Sequence, residues 1–387
     1  MAYKKIETFI KELKYSPTLK ELKFMLHRVR QSPLSMLGSI IIIFFALVAI
    51  LAPYLAPPNP DWDVTAYPGK SPFILPRTGF VPEPQPPSPT HPFGLTSESF
   101  DIYYGCVWGT ITAFRVGITV VAATLIIGLS IGLLAAYYGG IIDEILMRFT
   151  DVIIVFPGLI LALAFALAIP DKFDIKLGDV LPICSVIFTI ITVTQFISKR
   201  QISWKWILME NLTLVCILTS TLIYFGNFPN VGIASITMTK LDKVLAALIL
   251  VGWPGYARVI RGEVLRIRNE DYVEAAKAAG CSDFRIMVRH ILPNAIYPIV
   301  ILASLDIGSI VLLAAALSFL RVGAEANFAD WGQLVEKSRV YLGSGASFIR
   351  YWYIWVIPGA FIFVFSLGWN LLGDALRDIL DPTLRRR

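Results

Sequence analysis

The chain has 387 residues, with 34 Lys and Arg against 28 Asp and Glu, a net charge of +6 and a pI near 9.0. Hydrophobic residues make up 56% of it and its mean hydropathy is +0.67. That is more apolar surface than one water-soluble core can hide, which excludes an ordinary soluble enzyme and places the chain in a bilayer. The positive charge then needs no nucleic-acid partner: topological bias and attraction to anionic membrane lipid account for most of it.

Residues 1–33 are basic. The stretch from Lys4 to Lys23, with Ile6, Phe9, Ile10 and Leu13 interspersed, reads either as an amphipathic helix on the inner membrane surface or as a mobile polar tail. It is too long and too alternately charged for a signal-peptide n-region, and no convincing small-residue cleavage site follows the first apolar run, so that run is expected to be a retained anchor. Runs of about 17–25 apolar residues span hydrocarbon as helix. They occur near residues 34–52, 113–138, 152–169, 180–198, 206–225, 241–256, 295–317 and 353–372. The sixth is the weakest, because Asp242 and Lys243 open it and Gly252, Pro254 and Gly255 interrupt it. Such breakers are tolerated where neighbouring helices satisfy the freed backbone. With the N-terminus cytoplasmic, Lys and Arg concentrate on the inner side, so both termini are expected in the cytoplasm.

Between the first two runs lie more than half of the 24 prolines, which cannot build regular ladders of backbone hydrogen bonds and predict an extended outer loop. Gly117, Gly128 and Gly132, with Ala135 and Ala136, predict close helix packing, and Pro157 and Pro254 predict kinks. Four cysteines (Cys106, Cys184, Cys216, Cys281) show no paired spacing, and three histidines (His27, His91, His290) are dispersed, so neither a disulfide framework nor a metal site is expected.

The polar segment between the sixth and seventh runs is Asp271-Tyr-Val-Glu-Ala-Ala-Lys-Ala-Ala-Gly280, followed by His290-Ile-Leu-Pro-Asn294. Asp271 with Glu274 three positions on reads as a capping-box-like start, and Ala275, Ala276, Ala278 and Ala279 are strong helix formers. Gly280 is the expected stop, since it takes the left-handed conformation most easily. Ser282 or Asp283 then caps a second helix through Phe284, Ile286, Met287 and His290, ending at Pro293. His290 is expected to fix the loop. A short alanine-faced helix lets another surface approach closely, so the segment reads either as a docking element or as a solvated interhelical loop.

This segment resembles the EAA loop of ABC importer permeases. Further pieces occur in that family's order: His91-Pro-Phe-Gly94, Tyr138-Gly-Gly140 with Asp143, Met147-Arg-Phe-Thr-Asp151, Phe156-Pro157, Trp253-Pro-Gly-Tyr-Ala-Arg-Val-Ile-Arg-Gly262, Leu317-Ser-Phe-Leu320, Trp331-Gly332 and Gly373-Asp-Ala-Leu-Arg-Asp-Ile-Leu-Asp-Pro382. Together they are similar to the second permease of dipeptide, oligopeptide and nickel importers over about residues 34–385. Two pieces depart from the family pattern: Gly94-Leu95-Thr96 and Ser99-Phe100-Asp101 stand where Gly-Thr-Asp and Gly-Arg-Asp are usual.

The resemblance implies an all-α polytopic protein with the type I ABC importer core of six helices. It also implies a complex with a second, similar permease, two cytoplasmic ATPases that carry ATP and Mg, and an extracytoplasmic solute-binding protein. Glu274, Ala275, Ala276 and Gly280, with Asp271, His290 and Pro293, are then the expected coupling positions, and the solute a short peptide, an oligosaccharide or nickel. Arg258, Arg261 and Arg266 just before the loop are expected either to pair with acidic groups on the ATPase or to face headgroups. Trp331-Gly332 would face the binding protein. The chain has no Gly-x-x-x-x-Gly-Lys-Ser/Thr loop, so it is expected to bind no cofactor and perform no covalent chemistry of its own.

On this scheme residues 1–33 are a cytoplasmic segment, 34–52 the first span, 53–112 an outer loop, 113–373 the core with its EAA loop at about 258–294, and 374–387 a cytoplasmic tail. Related permeases have only a short outer loop where this chain inserts residues from about 170 to 240. The basic connector Lys199-Arg-Gln-Ile-Ser-Trp-Lys-Trp206 within the insertion predicts a helical hairpin with its turn in the cytoplasm. Asp306, inside the seventh run, is either a translocation-path residue that meets a substrate amino group or a buried acid bonded to a neighbouring Ser or backbone group. The rival reading of the whole chain is a secondary transporter or channel with Asp306 as its ion site. A non-transporting scaffold is a third.

Overall fold

The computed structural model describes residues 32–58, 72–77, 83–176, 232–343 and 345–380. The segment from Lys4 to Lys23, the fourth and fifth apolar runs with their basic connector, Cys184, Cys216 and the last seven residues lie outside them. Two compact units are present: Ile169–Thr239, and the rest of the chain. Of the first, the described part is an antiparallel ribbon of β1 (Lys172–Lys176) and β2 (Gly232–Thr237), with Lys172 opposite Thr237 and a register shift at Ile175/Lys176.

The larger unit is helical: α1 (Pro33–Leu55), α2 (Ile102–Tyr138), α3 (Gly140–Val155), α4 (Gly158–Ala168), α5 (Lys240–Ile267), α6 (Asp271–Ala278), α7 (Asp283–Ile286), a π-turn at Met287–Ile291, α8 (Leu292–Phe319), the short α9 (Trp331–Glu336), α10 (Arg339–Leu342) and α11 (Gly345–Arg350), and α12 (Trp352–Leu380). Among the described residues α1, α2, α5, the continuous Asp283–Phe319 stretch and α12 are long and apolar enough to cross a membrane. The third predicted run is not one straight span. It breaks at Phe156-Pro157, where Phe156 is pushed into extended backbone ahead of the proline, and α3 and α4 meet at 96°. The sixth run, the weakest in sequence, is an unbroken helix of 28 residues with Pro254 inside it. Its low hydropathy matches its position: half of its spanning window is buried in protein.

The core is built on close helix contacts. At Gly128 and Gly132 of α2 a Cβ would run into the backbone and side chains of Trp253, Tyr256, Ala257 and Ile260 on α5, so only glycine allows this approach. Ser366 of α12 donates to the Gly308 carbonyl of α8 at 3.0 Å. Phe45 of α1 and Trp331 of α9 both pack on Phe365 of α12, at 5.3 and 5.5 Å between ring centroids.

On the side of the bundle opposite α6, the loop before α2 forms bridges rather than a ladder among its described residues. Ile74 pairs with Phe328 and Gln85 with Leu95. Asp101 accepts from the Tyr104 amide at the start of α2 and holds His91 Nδ1 at 2.8 Å. Trp108 Nε1 donates to the Ala56 carbonyl at 2.9 Å, tying α2 to the end of α1.

Candidate functional site

The polar segment folds as a helix-turn-helix held between α5 and α8. Glu270, not Asp271, occupies the cap position of α6, and no side chain bonds there. The amides of Val273 and Glu274 are satisfied by the Glu270 carbonyl instead, so the capping box is not formed. At the other end Gly280 has φ +79°. The Cys281 amide reaches back to the Ala276 carbonyl at 3.1 Å and the Gly280 amide to Lys277 at 2.9 Å, the paired bonds of a glycine-terminated helix.

Val273 and Ala276, three apart, are the two buried residues of α6. They pack with Leu133 and Ala136 of α2, Ile260, Val264 and Ile267 of α5, and Ile286, Met287 and Ile291 beyond the turn. Ala276 therefore anchors the helix to its own chain. Glu274, Ala275, Ala278, Ala279 and Gly280 are exposed, and Phe284, 73% exposed, and Val288 extend this face onto the next turn.

Pro293 does not end the second helix. The widened turn at Met287–Ile291, in which the Leu292 amide donates to the Met287 carbonyl five residues back, lets the chain pass into α8 with Pro293 in its first turn. The His290 ring makes no hydrogen bond among the described residues. Asn294 ties the loop instead, donating to the His290 carbonyl at 2.8 Å and to the Tyr272 hydroxyl of α6 at 3.2 Å. Ser282 stands at the cap of α7 without a side-chain bond. Asp283 accepts from the Tyr137 hydroxyl of α2 at 2.8 Å, and Arg268 donates to the Ala136 carbonyl at 2.6 Å.

The arginines before the loop find their acids on this same chain. Arg261 grips Asp143 with both arms, at 2.5 and 2.6 Å, and Arg258 meets Asp151 at 2.6 Å, so α5 is clamped to α3. Arg266 bonds Glu263 one turn earlier on its own helix. All three thus have an intrachain acid: Arg266 has one at helical spacing, while Arg258 and Arg261 have acids more than 100 residues away in sequence.

Trp331 and Gly332 do not face outward. Trp331 is 2% exposed and donates from Nε1 to the Cys106 carbonyl at 3.0 Å, while Gly332 lies against the Ala315 backbone. Asp330 caps α9 through the Gln333 amide at 3.2 Å. Burial pushes its carboxyl above the usual range, opposed by bonds from Ser318 and the Gln333 and Gly332 amides.

Asp306 sits midway along α8, half-buried and with no bond to a Ser or backbone group among the described contacts.

These features define a multi-pass, predominantly helical membrane protein in which a polar helix-turn-helix joins two long spans. Residues 128–386 match the family described as "Binding-protein-dependent transport system inner membrane component", and residues 22–74 match "N-terminal TM domain of oligopeptide transport permease C". The chain belongs to the family of binding-protein-dependent transport system inner membrane components. It is 29% identical over 363 residues to the dipeptide transport system permease protein DppC of Alkalihalophilus pseudofirmus, covering 92% of this chain and 88% of that one. It is 29% identical over 355 residues to the probable D,D-dipeptide transport system permease protein DdpC of Escherichia coli strain K12, with 92% and 89% covered. It is 27% identical over 370 residues to the DppC protein of Bacillus subtilis strain 168, with 96% and 88% covered. The chain is therefore a non-catalytic membrane component of an ABC importer, and the secondary-carrier reading is not favoured.

Proposed function

We propose that this chain is one of two permease subunits that together form the path of an ATP-driven importer for short peptides, with both termini and α6 in the cytoplasm. The substrate class rests on relatives named for dipeptide transport. Two ATPase subunits, which hold ATP and Mg, bind beneath the permease pair, and a solute-binding protein delivers the peptide from outside. The exposed alanine face of α6, with Glu274, Phe284 and Val288, receives the ATPase. Val273 and Ala276 transmit its displacement into α2, α5 and α8 through the cluster they share. ATP binding favours the conformation in which the ATPases close, and the permease pair turns from inward to outward facing as a rigid-body change.

The observation that carries this reading is a short helix whose inner face, Val273 and Ala276, is buried in the bundle and whose exposed face sets Ala275 and Ala278 beside Glu274 and Lys277. Gly280→Pro tests it. Proline cannot adopt φ +79° and has no amide to donate to Lys277, so the helix stop is lost while the spans are untouched. ATP-driven dipeptide uptake by the complete complex should fall by roughly tenfold or more with the complex still assembled. Unchanged uptake would show that the loop does not carry the coupling.

A further inference from the structure

Asp306 has a surrounding that the coupling mechanism does not use. Among the described residues no Lys, Arg or His lies against it; its polar neighbour is Tyr256 of α5. Tyr256 is 2% exposed, and its hydroxyl, though turned to polar neighbours, closes no bond of full hydrogen-bond geometry. The polar groups around that hydroxyl are Asp306 and Thr124 of α2. The Thr124 hydroxyl already spends its proton on the Val120 and Val121 carbonyls, at 2.9 and 3.0 Å, so its oxygen is left to accept.

Three long helices thus bring a carboxylate and two hydroxyl oxygens together within their spanning lengths, with nothing basic beside them among the described residues. An acid in a span whose only polar neighbour is a tyrosine hydroxyl is costly, and so is a buried hydroxyl whose bond is not fully made. A primary ammonium removes both costs, since it carries positive charge and three N–H donors and needs three acceptors. One helical turn nearer α6, an open apolar cleft of about 290 Å³ runs between α5 and α8, lined by Val259, Pro298, Ile301, Leu302 and Leu305, with Arg377 at its rim. Val259 lies three residues from Tyr256 and Leu302 four from Asp306, so the cleft and the oxygens share one seam of the bundle.

We propose that Asp306, Tyr256 and Thr124 form an intramembrane subsite for the protonated amino group of the transported solute. This deepens the peptide-permease reading and rests on it, because a free peptide has one such ammonium at its N-terminus.

The test uses the complete importer in sealed vesicles. ATP-driven uptake of L-alanyl-L-alanine is measured for wild type, D306N and D306E. Uptake should fall roughly tenfold in D306N, the loss of one charge-assisted contact, and return in large part in D306E. Alongside it, wild-type Asp306 is labelled with dicyclohexylcarbodiimide and quantified by mass spectrometry. L-alanyl-L-alanine should protect it, and the N-acetylated dipeptide at the same concentration should not. Wild-type uptake by D306N, an equal loss in D306E, protection indifferent to acetylation, or an Asp306 that never labels because a partner subunit's cation neutralises it would each overturn the subsite. If wild type takes up no dipeptide, the peptide reading itself fails. If it does and D306N matches it, only the subsite fails.

Discussion

Arg261 and Asp143 show how much a single pair can fix. The guanidinium meets both carboxylate oxygens, the two side chains are 35% and 18% exposed, and the residues they join are 118 positions apart. Surface pairs contribute little, but a bidentate pair that is largely shielded leaves an uncompensated charge when one partner is removed. Arg261→Ala or Asp143→Ala should therefore lower stability by about 1–3 kcal/mol, read as an earlier thermal transition of the purified protein. Arg261→Lys should recover only part of it, because a point charge cannot make the fork. If the double mutant lost the sum of the two single effects, the pair would contribute nothing as a pair. At this scale the sequence is uneven as a guide. Gly280 was legible because a left-handed stop selects one residue type. Asp306 was legible as an acid inside an apolar run, though its company was not. The partners of Arg258 and Arg261 were hidden, since Asp151 and Asp143 are distant in sequence and only the fold brings them near. An outward-facing Trp331 is what the family resemblance implies, not what its own residues dictate. Its indole is buried because Asp330 caps the helix start and turns the ring inward to the Cys106 carbonyl.

Helices follow from local rules where the rules are steric, and depart from them where packing can absorb a cost. Apolar length marked α1, α2, α8 and α12, and the small residues of α2 marked its packing face. The break at Phe156-Pro157 followed from the proline, although the 96° bend did not. Pro293 misled, because a widened turn in the preceding residues keeps the helix running past it. The α2–α5 seam yields a paired prediction. At Gly128 a Cβ would collide with Tyr256, with the Trp253 carbonyl at 2.7 Å and with the Ala257 amide at 3.0 Å, and backbone cannot step aside as a side-chain tip can. Gly128→Val should cost at least about 1–3 kcal/mol by overpacking and reduce the folded protein recovered from membranes. Gly262 on α5 has nothing within 4 Å of its would-be Cβ, so Gly262→Ala should be neutral or stabilise by up to about 1 kcal/mol through helix propensity. Equal recovery of the two variants on size-exclusion chromatography would mean that this seam is looser than its geometry.

For the molecule as a whole, the question is which way the bundle faces. Lys199, Arg200 and Lys205 belong to the inserted segment and the first 31 residues lie outside the described part, so much of the charge asymmetry is legible only in sequence. Among the described residues alone, Lys and Arg are about balanced between the two ends, with Arg77, Lys337 and Arg350 paired to the loop before α2. α6 and the turn after it hold Lys277, Arg285 and Arg289 at one end of α5 and α8, while Ser88, Thr90 and His91 sit on the loop that packs at the opposite end. Counted over the whole sequence, the positive-inside rule supports the proposal that the α6 end is cytoplasmic. Cys281, partly exposed just past Gly280, is a native probe of that end, and Thr90→Cys supplies one at the other. In a background with Cys106, Cys184 and Cys216 replaced by alanine, a membrane-impermeant maleimide should label Cys281 in inside-out vesicles and not in intact cells. The Thr90→Cys variant, carried on the same background with Cys281 also replaced, should show the opposite pattern. A reversed result would move α6 to the outside, where no ATP-driven subunit could reach it, and the coupling role would fall with the orientation. Protection of Cys281 when the ATPases are present, and its return when they are stripped away, would place them on the alanine face of α6.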